Sequence, residues 1–274
     1  MNNYSFDGVR QEIIDALVTE INNLVPEHGY VHSNLLPGRV EQTTRALIEK
    51  HPDMQVFKDN SQYADMMHFA GAIHDLGKLD IDEKILLKPT RLTDEEYAKI
   101  KEHPQLGFKR LLSVFENYHN LSKQELQLYS ICKNVILQHH ERGDGRGYPN
   151  RLTSKEISLE AQIMAVEDSY DAMTINRGYN NQKNHEFAKK DLKKWGIAYN
   201  QEIVDISMEA KEQEMFLSRD DINLEQDENI EKNEKIEKDE ENKEIKRTEI
   251  TEESKESIGN KENIKTENEF ELDL

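Results

Sequence analysis

One cysteine, Cys132, is all the thiol chemistry that 274 residues contain. A disulfide framework is excluded, and Cys132, inside the apolar run ICKNVIL, is expected to be a small core residue. Long hydrophobic runs are missing as well. None approaches the ~20 residues that cross a bilayer, and the opening MNNYSFDGVRQ lacks a basic-then-apolar leader. No membrane insertion is expected, and the default location is cytoplasmic. Cationic excess is also lacking: 36 Lys and Arg stand against 55 Asp and Glu, a net charge of −19. No DNA or RNA binding is expected of such a surface. A phosphate ligand would have to be drawn in locally, by metal or by a few placed cations. The alternating apolar pattern of strands is hard to find anywhere.

What is present is helical. Val9, Ile13, Ile14, Leu17, Val18, Ile21, Leu24 and Val25 make one apolar stripe at helical spacing. Capping boxes at Thr93–Glu96, Ser122–Glu125 and Thr153–Glu156 mark three helix starts. Stops are expected at Gly77, at Pro89 and at Asp144-Gly145. The pattern predicts helices near 8–25, 38–50, 61–76, 93–101, 103–118, 122–140, 154–174, 183–195 and 200–216. From Ser218 onward, 21 acidic residues face 10 basic ones, and Phe270 is the one aromatic. Such a stretch buries too little apolar surface to offset its ordering entropy. It reads as a disordered acidic tail, with runs such as Glu231–Lys246 at most transient helix. An inert solvated tail and a segment that binds a protein partner are both open readings.

Polar groups with ligand chemistry sit at the ends of these apolar helices. His74-Asp75 follows MMHFAGAI, His103 stands in IKEHPQLG, His139-His140 closes the helix carrying Val135, Ile136 and Leu137, and Asp168 lies in IMAVEDSYDAM. Singly, each has a plain alternative: a capping histidine for His103, a buried hydrogen-bonded pair for His74-Asp75, a polar helix face for Asp168 or Asp171. His28, His51, His68, His119 and His185 read as structural, and Trp195 as core. Together the set holds nitrogen and oxygen donors without thiolate, which suits iron, manganese or zinc. It also has too many donors for one ion. Adjacent side chains on a helix diverge by ~100°, so His139 and His140 call for a shared two-metal cluster. Gly143, Gly145 and Gly147 allow positive φ and close backbone approach, so the loop after this pair can fold tightly over a ligand.

HDLGK at 74–78, ILLKPTRLTDEEYAKIKEHPQLG at 85–107, HHERGDGRGYP at 139–149 and VEDSYDAMTINRGY at 166–179 resemble, in order and spacing, the HD-GYP family of HD phosphohydrolases. The resemblance runs from about Gly38 to Val204. It implies an all-α fold: a single HD-GYP-type helical bundle of about seven to nine helices with a disordered acidic tail. The corresponding domains are an N-terminal helical segment at 1–37, a catalytic body at 38–217 and the tail at 218–274. It implies a cyclic di-GMP phosphodiesterase with two or three divalent ions, iron or manganese foremost. The implied reaction is attack by a metal-bridged hydroxide, giving linear pGpG and, with a second cut, GMP.

Residue by residue, the resemblance implies His74 and Asp75 as metal ligands, Asp75 bridging, with Asp168 as the remaining carboxylate of the first ion. His103, His139 and His140 would serve the second. Asp75 and Lys78 would be catalytic, and Lys78, Asp144, Gly145, Tyr148 and Arg177 would contact substrate. The sequence departs from the family pattern at several points. Counting from Arg39-Val40, Leu36 stands where a ligand histidine is usual and cannot ligate. His32 falls at the usual Glu position and is the substitute candidate. Glu167 replaces Ala, Gly178 replaces Pro, and Asn180 replaces a basic residue. The alternatives are a catalytically degenerate binding or interaction module, and an HD phosphohydrolase of another cyclic dinucleotide or nucleotide.

Overall fold

The structure, a computed structural model, describes residues 4–23, 35–174 and 183–213. The candidate ligand His32, the candidate phosphate contact Arg177, the departures Gly178 and Asn180, and the acidic tail all lie outside them. The chain divides after Glu212 into two units, the first of which carries the described helices. That unit is all-α. The helices are α1 (Gln11–Asn23), α2 (Leu36–Lys50), α3 (Gln55–Lys58), α4 (Tyr63–Ile73), α5 (Glu83–Leu86), α6 (Asp94–Ile100), α7 (His103–Phe115), α8 (Lys123–Gln138), α9 (Leu159–Thr174) and α10 (His185–Lys194). A last helix, α11, covers 201–213. Short 3-10 turns run over Leu76–Asp80 and Gly196–Ala198. Among the described residues the one β-type pairing is an isolated bridge between Asp144 and Thr153. No described helix is long and apolar enough to cross a membrane.

α4 is the axis of the molecule because it is apolar on all but one narrow face, where Asp65 and His68 reach the surface. Tyr63, Ala64, Met66, Met67, Phe69, Ala70, Gly71 and Ile73 are all buried, the pattern of a helix enclosed by others. α1, α2 and α8 pack against it, and α9 lies across α2 and α8. Their stripes supply the rest of one core: Ile13 and Leu17 from α1, Leu36 and Val40 from α2, Leu128, Cys132 and Val135 from α8, Ile163 and Val166 from α9. The expected N-terminal stripe therefore does bury Ile13, Ile14 and Leu17. Cys132 is enclosed too, and burial raises its thiol pKa well above the ordinary value. A satellite cluster of Ile81, Ile85 and Ile100 sits under α5 and α6.

Capping boxes start α6 at Thr93 and α8 at Ser122, with both reciprocal hydrogen bonds present. The third expected box corrects the prediction. Thr153 and Glu156 do bond, Oγ1 to Oε2 at 2.6 Å, but they close a turn, and α9 begins only at Leu159. The bridge to Asp144 holds Thr153 in the preceding loop, so the local cap is recruited without a helix behind it. Two further expectations change. Gly77 does not stop a helix: α4 ends earlier, at Ile73, and Gly77 lies inside the following 3-10 turn. Trp195 is not core. It caps the end of α10 at 47% exposure, its ring faced by the Arg142 guanidinium 4.6 Å from the centroid and its N–H donating to Asp191. Cation–π contact and one hydrogen bond stabilise it at the surface.

The N-terminal segment is tied to α8 through Glu125. Its side chain, 3% exposed, accepts from Arg10 Nε at 2.6 Å and Nη2 at 2.9 Å, and from the backbone N–H of Ser122 at 2.8 Å. The Arg10 hydrogen bond, ahead of opposing desolvation, takes the Glu125 pKa from 4.5 down to about 2. A depressed carboxylate stabilises the fold above its unfolded pKa, and the contribution is lost as pH falls toward the folded value. The stability gap between wild type and Glu125→Gln should therefore be full at neutral pH and shrink between pH 4.5 and about 2. Urea melts at successive pH values check this, and a gap that stays constant would remove the carboxylate from the account.

Candidate metal centre

Three helix ends meet at one point. α4 stops at Ile73 and delivers His74 and Asp75 on the turn that follows; α7 opens on His103; α8 closes on His139, with His140 next. His74, Asp75, His103 and His139 are all buried. His139, the C-cap of α8, keeps helical backbone angles, and its ring centroid nevertheless lies 4.2 Å from that of the adjacent His140. Ligand atoms of Asp75, His103, His139 and His140 all fall within 4.8 Å of one another.

The orientation of the rings has a common cause. His74 Nδ1 lies 2.7 Å from the Gly71 carbonyl, His103 Nδ1 2.8 Å from that of Ile100, and His139 Nδ1 2.9 Å from that of Val135. Only a protonated Nδ1 can donate to a carbonyl, so each Nε2 carries the lone pair. Those lone pairs aim at Asp75. Oδ1 is 3.3 Å from His103 Nε2 and 3.7 Å from His139 Nε2, whereas Oδ2 is 3.3 Å from His74 Nε2 and bonded by the Lys78 ammonium. The two oxygens of one carboxylate thus serve different histidines. His103 Nε2 and His139 Nε2 stand 3.2 Å apart, an acceptor facing an acceptor, which a cation relieves.

Protonation is suppressed where it would spoil this donor set. Burial is the main cause that lowers the His103 pKa to about 3, opposed by the Asp75 charge. Burial, then His139 and His103, pushes His140 well below its ordinary value. Both imidazoles are neutral at physiological pH, the state a metal ligand needs. Neutral nitrogen donors around a carboxylate, buried and convergent, fit a divalent cation.

The expected site residues are distributed unevenly. Asp168, half-buried on α9, is not among the four grouped donors; its charge acts on Tyr199. Asp144 is bound within its own loop by Arg142, which holds its pKa down. Gly145 takes φ +72°. Tyr148 stacks on His140 at 4.6 Å with 23° between the planes. Leu36 is fully buried among core side chains. Sequence reasoning missed Glu141, which is 2% exposed and accepts from the N–H groups of Asn150 at 2.6 Å and Leu152 at 2.9 Å. The available signal was an acidic residue between a histidine pair and a glycine-rich loop whose N–H groups need acceptors. Gly147 matters by size: a Cβ there would lie 2.4 Å from Arg142 N and 2.6 Å from the His140 carbonyl.

All-helical scaffold and buried histidine–aspartate cluster together define a protein built to hold divalent metal at the junction of its helices. The chain belongs to the HD domain family, whose model matches residues 32–199. Its relatives agree with the HD-GYP motifs. It is similar to a protein of Thermotoga maritima named cyclic di-GMP phosphodiesterase, 32% identical over 197 residues, 72% of this chain and 49% of that one. It is similar to a Vibrio cholerae protein of the same name, 38% identical over 127 residues, 46% of this chain and 25% of the relative. A Vibrio cholerae protein named 3'3'-cGAMP-specific phosphodiesterase 2 is 35% identical over 129 residues, 47% of this chain and 23% of the relative. The matches thus span half or less of the relatives' own lengths.

Gly77 is where this centre is most easily broken. A Cβ on it would meet the His103 carbonyl oxygen at 1.9 Å and Gly107 N at 2.3 Å, backbone atoms that cannot step aside. Gly77→Ala should destabilise the protein by about 1–3 kcal/mol and lower its metal content after purification. Denaturant melts and elemental analysis read the two effects.

Proposed function

We propose that the protein is a metal-dependent phosphodiesterase that opens cyclic di-GMP to linear pGpG, with GMP following if a second bond is cut. The observation that carries the reading is the aim of three imidazole Nε2 atoms at the two oxygens of Asp75. His74, Asp75, His103, His139 and His140 would hold the ions, with Asp168 as a further carboxylate and His32 as a further candidate. Nitrogen and carboxylate donors without thiolate suit iron, manganese or zinc; the HD-GYP resemblance puts iron or manganese first, and a donor set this large suits two ions or three. Divalent ions bound there would supply the acidity that activates water and the charge that neutralises a phosphoryl group.

The chain's own residues do the rest. Carbonyls of Gly71, Ile100 and Val135 hold the rings in the ligating tautomer. Lys78 sits on Asp75, where its ammonium is a point charge available to a phosphate oxygen. Arg177 would clamp a second oxygen through two hydrogen bonds. Tyr148, Gly145 and Asp144 shape the substrate's side of the cluster. The catalytic body is then residues 38–217, preceded by the helical segment 1–37 and followed by the acidic tail from 218, a candidate for a protein partner. A binding module is the second reading, favoured by Leu36, whose buried side chain has no donor atom at a usual ligand position.

Elemental analysis and cyclic di-GMP turnover test the proposal. Wild type should carry divalent metal and release pGpG. Asp75→Ala should lose metal and turnover while far-UV circular dichroism keeps its helical signal. Substantial turnover by metal-supplied Asp75→Ala would overturn the scheme, and wild type that binds cyclic di-GMP without cutting it would leave the binding module.

A further inference from the structure

Beside the imidazole cluster a depression of about 620 Å³ opens between the α6–α7 junction and the loop 145–151, within the size range of small-molecule sites. Tyr148 belongs to both: it stacks on His140 and lines the cavity. The cavity therefore adjoins the imidazole cluster through this one side chain. The chain as a whole is strongly acidic, yet Lys101, Arg146 and Arg151 line this space against a single carboxylate, Glu102. Arg151 has φ +58°, a left-handed conformation that a long side chain adopts at a conformational cost. An arginine kept there despite that cost points to its side chain having a use.

Glu102 is equally out of keeping with a structural role. It is the N-cap residue of α7, but its side chain makes no cap hydrogen bond, and it is exposed. Next to it the Lys101 ammonium lies 5.0 Å over the Tyr97 ring, and Tyr97 is itself 46% exposed. An exposed aromatic platform, cations and one acceptor-only carboxylate on one rim match the edges of a guanine. Its O6 and N7 accept hydrogen bonds, as lysine and arginine require. Its N1–H and exocyclic amine donate, as a carboxylate requires. Adenine matches this set less well: it keeps the N7 acceptor but has no O6 acceptor beside it, and no N1–H next to a 2-amine to give a carboxylate two hydrogen bonds.

We infer that this cavity reads one guanine of the bound cyclic dinucleotide, with Glu102 and Lys101 setting base specificity. The inference rests on the phosphodiesterase reading above. It also gives base choice a location, and base choice is what separates the names of the cyclic di-GMP and 3'3'-cGAMP relatives. One guanine reader is satisfied by 3',3'-cGAMP, which has one guanine, but not by cyclic di-AMP.

The experiment uses the full metal-loaded chain and titrates it calorimetrically with hydrolysis-resistant bis-phosphorothioate analogues of cyclic di-GMP, 3',3'-cGAMP and cyclic di-AMP. Turnover of the parent compounds is measured beside it. Wild type should bind the cyclic di-AMP analogue about tenfold more weakly than the other two, or worse. Glu102→Ala should bring that ratio close to one. A general folding defect would weaken all three ligands alike and leave the ratio in place. Equal affinities in wild type, an unchanged ratio in Glu102→Ala, or no binding at all overturns the subsite. Selective binding that Glu102→Ala abolishes, without turnover of any parent compound, sustains the subsite and overturns the phosphodiesterase alone.

Discussion

The structure turns on one repeated interaction: an imidazole Nδ1–H donating to a backbone carbonyl about one turn earlier. His74, His103 and His139 all make it, and in each the carbonyl belongs to a helix end or the turn before one. Carbonyls in the last turn of a helix keep spare acceptor capacity, the Val135 carbonyl taking the His139 backbone N–H as well as the ring, and binding them fixes both tautomer and ring direction. Three such ends pointing at Asp75 produce a dense set of lone pairs in a dry interior. Acceptors packed this closely repel one another, and a divalent cation among them would offset that repulsion.

Backbone contact rather than side-chain packing sets how closely those ends approach. Gly77 and Gly107 cross so tightly that neither tolerates a Cβ without a shift, and this brings the turn bearing Asp75 against the first residue of α7. On the far side, α9 is held by buried charge. Glu167 accepts from Thr43 at 2.7 Å, Ser207 at 2.6 Å and Lys211 at 2.7 Å, and Asp171 accepts from Arg39 at 2.7 Å. Burying such charges carries a large desolvation penalty that only full pairing offsets. The gain is geometric: α2, α9 and α11 are locked in register. Glu167, a departure from the family pattern, is thus a complete network and not a stray polar group.

Much of the fold was legible because periodicity and capping are local. The stripe that buries Ile13, Ile14 and Leu17, the capping boxes at Thr93 and Ser122, and the enclosed Cys132 follow from neighbouring residues alone. The failures have a shared origin. Thr153–Glu156 has the chemistry of a helix start, but pairing of Thr153 with Asp144 holds it in a loop. Trp195 has the size of a core residue, but a guanidinium from a distant loop covers its face. In both cases a contact remote in sequence overrode a local preference.

The chemical inventory belongs to the sequence by itself: which helices form, in what order, and which of them end on imidazoles and carboxylates. The approach of the His139 and His140 rings to 4.2 Å was a tertiary decision, made although His139 keeps helical backbone angles. So was the division of Asp75 into one oxygen for His74 and Lys78 and another for His103 and His139. The reason is physical. Helix formation answers to residues a few positions apart, whereas the distance between residues 75, 103 and 139 is set by how whole helices pack, and no local signal records that.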